Sequence, residues 1–111
     1  MIIFPENAAI FLHGTPIDLR NGFDGLSFLV HTHFEDKMKS NTHFVFVNSR
    51  RTRMKILSYC KNNLSIFYIR LRKGVFFPPC VLHSKKINLD DFYNLINKQA
   101  PEHLFRPQNI I

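Results

Sequence analysis

The sequence predicts an α+β fold: an antiparallel sheet of four to five strands with two helices, over about 18–35 and 88–99. Three alternating segments joined by short turns, Thr42 to Asn48, Thr52 to Cys60 and Leu64 to Arg72, set a three-strand meander over 42–72 at the centre of the sheet. Two stretches with apolar residues at three- and four-residue spacing lie on either side of it in the chain. At 111 residues and 45% hydrophobic content the chain suits one packed domain, 1–111, and is too short for two independent cores.

The first element is a short strand, Ala8 to His13, ended by Gly14 and Pro16. A helix follows with Asp18 as its N-terminal cap, and Leu19, Phe23, Leu26, Val30 and His33 or Phe34 form a stripe that faces the sheet. Gly22 and Gly25 each weaken that helix by about 1 kcal/mol relative to alanine, which fits a close approach to a neighbouring backbone. Asp24 reads as the i,i+4 partner of Arg20. Beyond the meander, Val75 to Pro79 ends the sheet and Ser84 to Ile87 adds an edge strand. Asn88 caps the second helix, with Asp90 and Asp91 in its first turn and Leu89, Phe92, Leu95 and Ile96 on its apolar face. Both helices are expected mostly on the apolar side of the sheet. Residues 101–111 form either a flexible tail or a docked segment.

The last two strands of the meander carry the functional signal. With Asn62-Asn63 as a two-residue turn, Arg53 pairs with Arg72, Lys55 with Arg70, Leu57 with Tyr68 and Tyr59 with Ile66. Met54, Ile56 and Ser58 then meet Leu71, Ile69 and Phe67 on the other, nearly dry face. Val45 and Val47 join the dry face, while Phe44 and Phe46 fall among the cations. Directly opposed like charges cost about a few tenths of a kcal/mol per pair, a cost that an anion relieves. Arg50, Arg51, Arg53, Lys55, Arg70, Arg72 and Lys73 therefore form a candidate phosphate-contacting surface, with Phe44, Phe46 or Tyr68 available to stack on bases. The alternative is that a helix covers the three rings and leaves the cations as a solvated rim.

A net charge of +7 and a pI near 9.8 favour a polyanionic partner. The basic residues lie on a predicted sheet instead of an amphipathic helix, and no apolar run reaches membrane-spanning length. Glu6 interrupts the N-terminal stretch where a signal peptide would be apolar, so a cytoplasmic location and reduced Cys60 and Cys80 are expected. Asp18, Asp24, Glu35, Asp36, Asp90 and Asp91 each have a plain structural role or lie away from strand ends, which argues against a metal-carboxylate nuclease. His31 and His33 point to different sides of a helix, and the remaining histidines and the cysteines lack ligand spacing, so no metal and no cofactor are expected.

Two longer stretches add a resemblance. TPIDLRNGFDGLSFLV at 15–30 and HFVFVNSRRTRMKILSYCKNNLSIFYIRLRKGVFFPP at 43–79 resemble the TnpB-type accessory proteins of bacterial transposable elements of the insertion-sequence-66 family, which are distinct from the RNA-guided nuclease sharing that label. Asp18, Arg20, Gly22, Phe23, Asp24, Gly25 and Leu26 match that family's first motif. Phe44 to Phe46, Arg50 to Arg53, Lys55 and Tyr68 to Arg70 match its second, and LDDFYNLINKQ at 89–99 sits where the family has a short leucine-rich helix. The chain departs from the pattern in having Ser58-Tyr59 and Phe76-Phe77 where the family has tryptophans, and Asn62-Asn63 for its aspartate-glycine turn. The resemblance implies a non-catalytic accessory protein for transposition. Its partners would be the DNA of the transposon ends, a separate transposase that carries the catalytic carboxylates, and other accessory proteins of the element. An adaptor that contacts the transposase instead of DNA is the alternative role.

Overall fold

The computed structural model describes residues 4, 7–34, 37, 39–76, 84–97 and 99–100. Pro78-Pro79, Cys80 and the tail 101–111 lie outside the described residues, and Cys60 is free and exposed. In chain order the elements are β1 (Ala9–Leu12), α1 (Phe23–Phe34), β2 (Thr42–Val47), β3 (Arg53–Cys60), β4 (Asn63–Arg70), β5 (Val75–Phe76), β6 (Lys85–Ile87), α2 (Leu89–Asn97) and β7 (Gln99–Ala100). Five strands form one sheet in the order β4-β3-β2-β1-β6, and β5 pairs with β7 in a separate two-stranded ribbon. The expected α+β class, meander and edge strand at Lys85–Ile87 are all present. One ladder is parallel: β1 runs alongside β2, with Phe11 opposite Phe44, because α1 carries the chain back across the sheet between them.

The two helices lie on opposite faces, which corrects the expectation that both would cover the apolar side. Phe92 and Leu95 of α2 pack with Val45, Val47, Met54 and Ile56. Leu26, Val30 and Phe34 of α1 pack with Phe11, Phe44, Phe46 and Leu57 on the other side. Every residue of β2 is therefore buried. A strand covered on both faces carries an unbroken apolar run, and the Phe-Val-Phe-Val of 44–47 is such a run.

The helix starts also have local causes. Helix α1 begins at Phe23, five residues later than expected, because Asp18 is engaged elsewhere and the first-turn bond runs from the Leu26 amide to the Gly22 carbonyl at 2.9 Å. Helix α2 begins as predicted: the Asn88 side chain accepts the Asp91 amide at 2.7 Å.

Between β3 and β4 the register is two residues away from the one expected. Arg53 lies opposite Arg70, Lys55 opposite Tyr68, Leu57 opposite Ile66 and Cys60 opposite Asn63. The turn is Lys61-Asn62, with Lys61 at φ 54°. Loop 39–41 holds it there: the Ser40 hydroxyl accepts the Lys61 amide at 2.9 Å, and the Tyr59 carbonyl accepts the Asn41 amide at 2.7 Å. A two-residue shift preserves which side chains share a face, so the cationic side predicted from the sequence survives while its pairs change.

Candidate nucleic-acid interface

Three segments converge beside the open end of the meander. The chain leaving β1 is tied to the end of β2, its Ile17 amide donating to the Val47 carbonyl at 3.1 Å. Asp18 then closes a tight turn. Its carboxylate accepts the Arg20 amide at 2.9 Å and takes the Arg20 guanidinium on both oxygens, the shortest bond being 2.6 Å to Nη2. The fork geometry of that pair fixes both planes. Hydrogen bonding to Arg20 lowers the Asp18 pKa to about 2, and the same contact raises that of Arg20.

Asn21 completes the turn, its side-chain amide donating to the Asp18 carbonyl at 2.7 Å. A side chain at Gly25 would fall on that of Asn21, so the glycine makes room for a side chain here, and not for a neighbouring backbone as expected. Gly22 has open space around it, and Phe23 and Asp24 are exposed. The motif residues Asp18, Arg20, Gly22 and Gly25 thus build the loop that enters α1. Arg20 pairs with Asp18 and not with Asp24.

The β2–β3 connection forms the second wall. Asn48 organises it, its side-chain oxygen accepting the amides of Thr52 at 2.9 Å and Arg53 at 3.0 Å. Arg51 adopts φ 62°, and its carbonyl accepts the Phe76 amide at 2.7 Å. Its side chain is half-buried, and burial lowers the pKa of its guanidinium, so it turns inward while Arg50 remains exposed.

The third wall is the sheet. Arg53, Tyr68 and Arg70 share one face, and Arg53 stands directly opposite Arg70. Lys55 is half-buried on the same face; its ammonium donates to the Asn21 carbonyl at 2.8 Å and sits 5.4 Å from the Tyr68 ring centre. Together these parts enclose a shallow groove of about 460 Å³, lined by Ile17, Asp18, Arg20, Asn48, Arg53 and Tyr68 among others. Arg72 and Lys73 are exposed just beyond β4.

The aromatic part of the predicted surface needs correction. Phe44 and Phe46 are fully buried beneath α1 and cannot stack on a base, whereas Tyr68 is 53% exposed. Arg20 is the residue that sequence reasoning left out of this surface. The sequence marks it as a motif residue, and the turn at Asp18 brings it to the same groove as Arg53.

Residues 8–98 match the model of the IS66 Orf2-like protein family. The chain belongs to the IS66 Orf2-like proteins. No curated protein and no solved structure gives a match. The family assignment makes this an accessory protein associated with transposition, as the resemblance implied, and the matched span includes every wall of the groove. Among the described residues of this IS66 Orf2-like protein, no helix is long and apolar enough to cross a membrane.

Proposed function

We propose that this IS66 Orf2-like protein is a non-catalytic accessory factor of transposition that acts in the cytoplasm and binds DNA of the element's ends. Phosphates lie along Arg50, Arg53, Arg70, Arg72 and Lys73, with Arg20 at the mouth of the groove and the Tyr68 ring open to an unpaired base. The observation that carries this reading is Arg53 facing Arg70 across adjacent strands, neither of them in a salt bridge among the described residues. Opposed guanidinium groups without a carboxylate are costly in the free protein and are relieved by a polyanion. Lys55 and Arg51 hold the scaffold in this arrangement and leave phosphate contact to their exposed neighbours. The test is a salt titration of binding to duplex and single-stranded transposon ends. Neutralising about four phosphates gives a log–log slope of roughly −3 to −4, and a slope near zero removes the proposal.

A second reading rests on α1, whose Phe28 is 69% exposed and Phe23 48% exposed, a feature suited to a protein contact. In that reading the protein is an adaptor that contacts the transposase. Capture of purified transposase without DNA that Phe28→Asp abolishes and Arg53→Glu with Arg72→Glu spares supports the adaptor; no capture without DNA removes it.

A further inference from the structure

Strand β4 is the edge of the sheet on the side away from β1, and among the described residues no strand pairs with its outer side. The Leu71 amide donates to the Thr52 carbonyl at 2.9 Å, which fixes the alternation along the ladder. Odd-numbered residues of β4 bond to β3, and the backbone groups of Leu64, Ile66, Tyr68 and Arg70 point outward. Edge strands are usually blunted by lysine, proline, a bulge or a covering segment. Residues 64–69, Leu-Ser-Ile-Phe-Tyr-Ile, contain no charge and no proline, and Leu64, Phe67 and Tyr68 are 38%, 47% and 53% exposed.

We propose that this edge is a self-association surface, at which β4 pairs antiparallel with β4 of a second copy about a two-fold axis centred on Ile66. Side chains opposed across such an axis lie on the same face, so each pair must have the same parity. Centring on Ile66 sets Leu64 opposite Tyr68 and Ser65 opposite Phe67, and leaves Arg70 facing the uncharged Asn62. Every exposed apolar side chain of the strand then gains a partner without opposing charges. Moving the centre to Phe67 would set Lys61 against Lys73, and moving it to Ser65 would leave Tyr68 against the turn at Asn62. Charge and apolar matching therefore select one register. The outcome is a continuous sheet built from two five-stranded sheets. Its axis stands perpendicular to the plane of the sheet, so both grooves open on the same face, with the two Tyr68 positions about 14 Å apart along the strands.

Sedimentation equilibrium of the full chain at high salt, without nucleic acid, tests this independently of DNA binding. The expected result is a concentration-dependent dimer. Ser65→Lys, at an exposed position outside the groove, brings the two lysines of the dimer to diagonal positions across the axis and, compared with the unsubstituted chain at low salt, weakens association by about two- to fivefold. In a Cys60→Ser, Cys80→Ser background, Ile66→Cys cross-links to itself under mild oxidation, because a self-paired position places the two Cα atoms about 5.5 Å apart, whereas Leu64→Cys does not. A monomer at every concentration, a dimer that Ser65→Lys leaves equally tight at low salt, or equal cross-linking at 64 and 66 overturns the proposal.

Discussion

The ammonium of Lys55 donates to the Asn21 carbonyl at 2.8 Å, joining the second strand of the meander to the loop that enters α1. This one bond couples the two motif regions in space: the loop of Asp18, Arg20 and Asn21, and the sheet bearing Arg53 and Tyr68. Lys55→Met keeps most of the aliphatic stem and removes the donor. The expected cost is about 1.5–3 kcal/mol, the range for a hydrogen bond to a charged group, read as a lower denaturation midpoint with unchanged slope. An unchanged midpoint would mean that the Asp18 turn alone holds the loop.

Arg53 has the opposite profile. It is exposed and faces Arg70, so its charge works against the fold in the absence of an anion. Arg53→Gln is expected to raise stability by about 0.2–0.5 kcal/mol while weakening DNA binding and reducing the magnitude of the salt slope by about 1. Chemical denaturation and binding titrations on the same variant separate the two effects. Loss of stability together with affinity would place Arg53 in the scaffold instead of the interface.

Two aromatic substitutions that look alike in the sequence should behave differently. Phe46 is fully buried between β2 and α1, so Phe46→Ala is expected to cost about 3–5 kcal/mol of stability. Tyr68 is more than half exposed at the groove, so Tyr68→Ala should change stability little and reduce affinity for single strands by about 1–3 kcal/mol. Equal losses of stability in the two variants would contradict this division of roles.

That contrast shows where the sequence was legible. Alternation was enough to locate the meander, to sort its side chains by face and to place the cap at Asn88. It also suggested aromatic rings among cations, because Phe44 and Phe46 do share a face with Arg53, Lys55 and Arg70. Alternation could not reveal that α1 covers the middle of that face and stops short of its end. The unbroken Phe-Val-Phe-Val run was the available sign of two-sided burial. The hairpin register was less accessible still, since Lys61-Asn62 and Asn62-Asn63 are both plausible turns and the choice depends on Ser40, more than twenty positions earlier. Asp18 looked like a helix cap for a similar reason. Its competing partner, Arg20, is only two residues away, and the resulting turn delays the helix to Phe23.

Acid should loosen this fold before any carboxylate responds. His13 and His43 are buried, and burial lowers both pKa values from an ordinary 6.5, with neighbouring His33 contributing at His13. His43 bridges the Ser58 hydroxyl at 2.8 Å and the Asn41 side-chain oxygen at 3.3 Å, an arrangement satisfied by a neutral ring donating through one nitrogen and accepting through the other. Above pH 6.5 both rings are neutral in folded and unfolded chains alike. As the pH falls below 6.5 the unfolded chain takes up protons that the folded one refuses, so stability declines until the folded-state pKa values are passed. Asp18 acts lower down: its contribution is present above 3.8 and is lost as the pH falls toward 2. The melting temperature should therefore drop between about pH 7 and about pH 5, the range in which histidine titrates. His43→Gln should be less stable at neutral pH yet show a shallower decline over that range. A wild-type melting temperature that stays constant down to the carboxylate range would show that neither imidazole is held neutral.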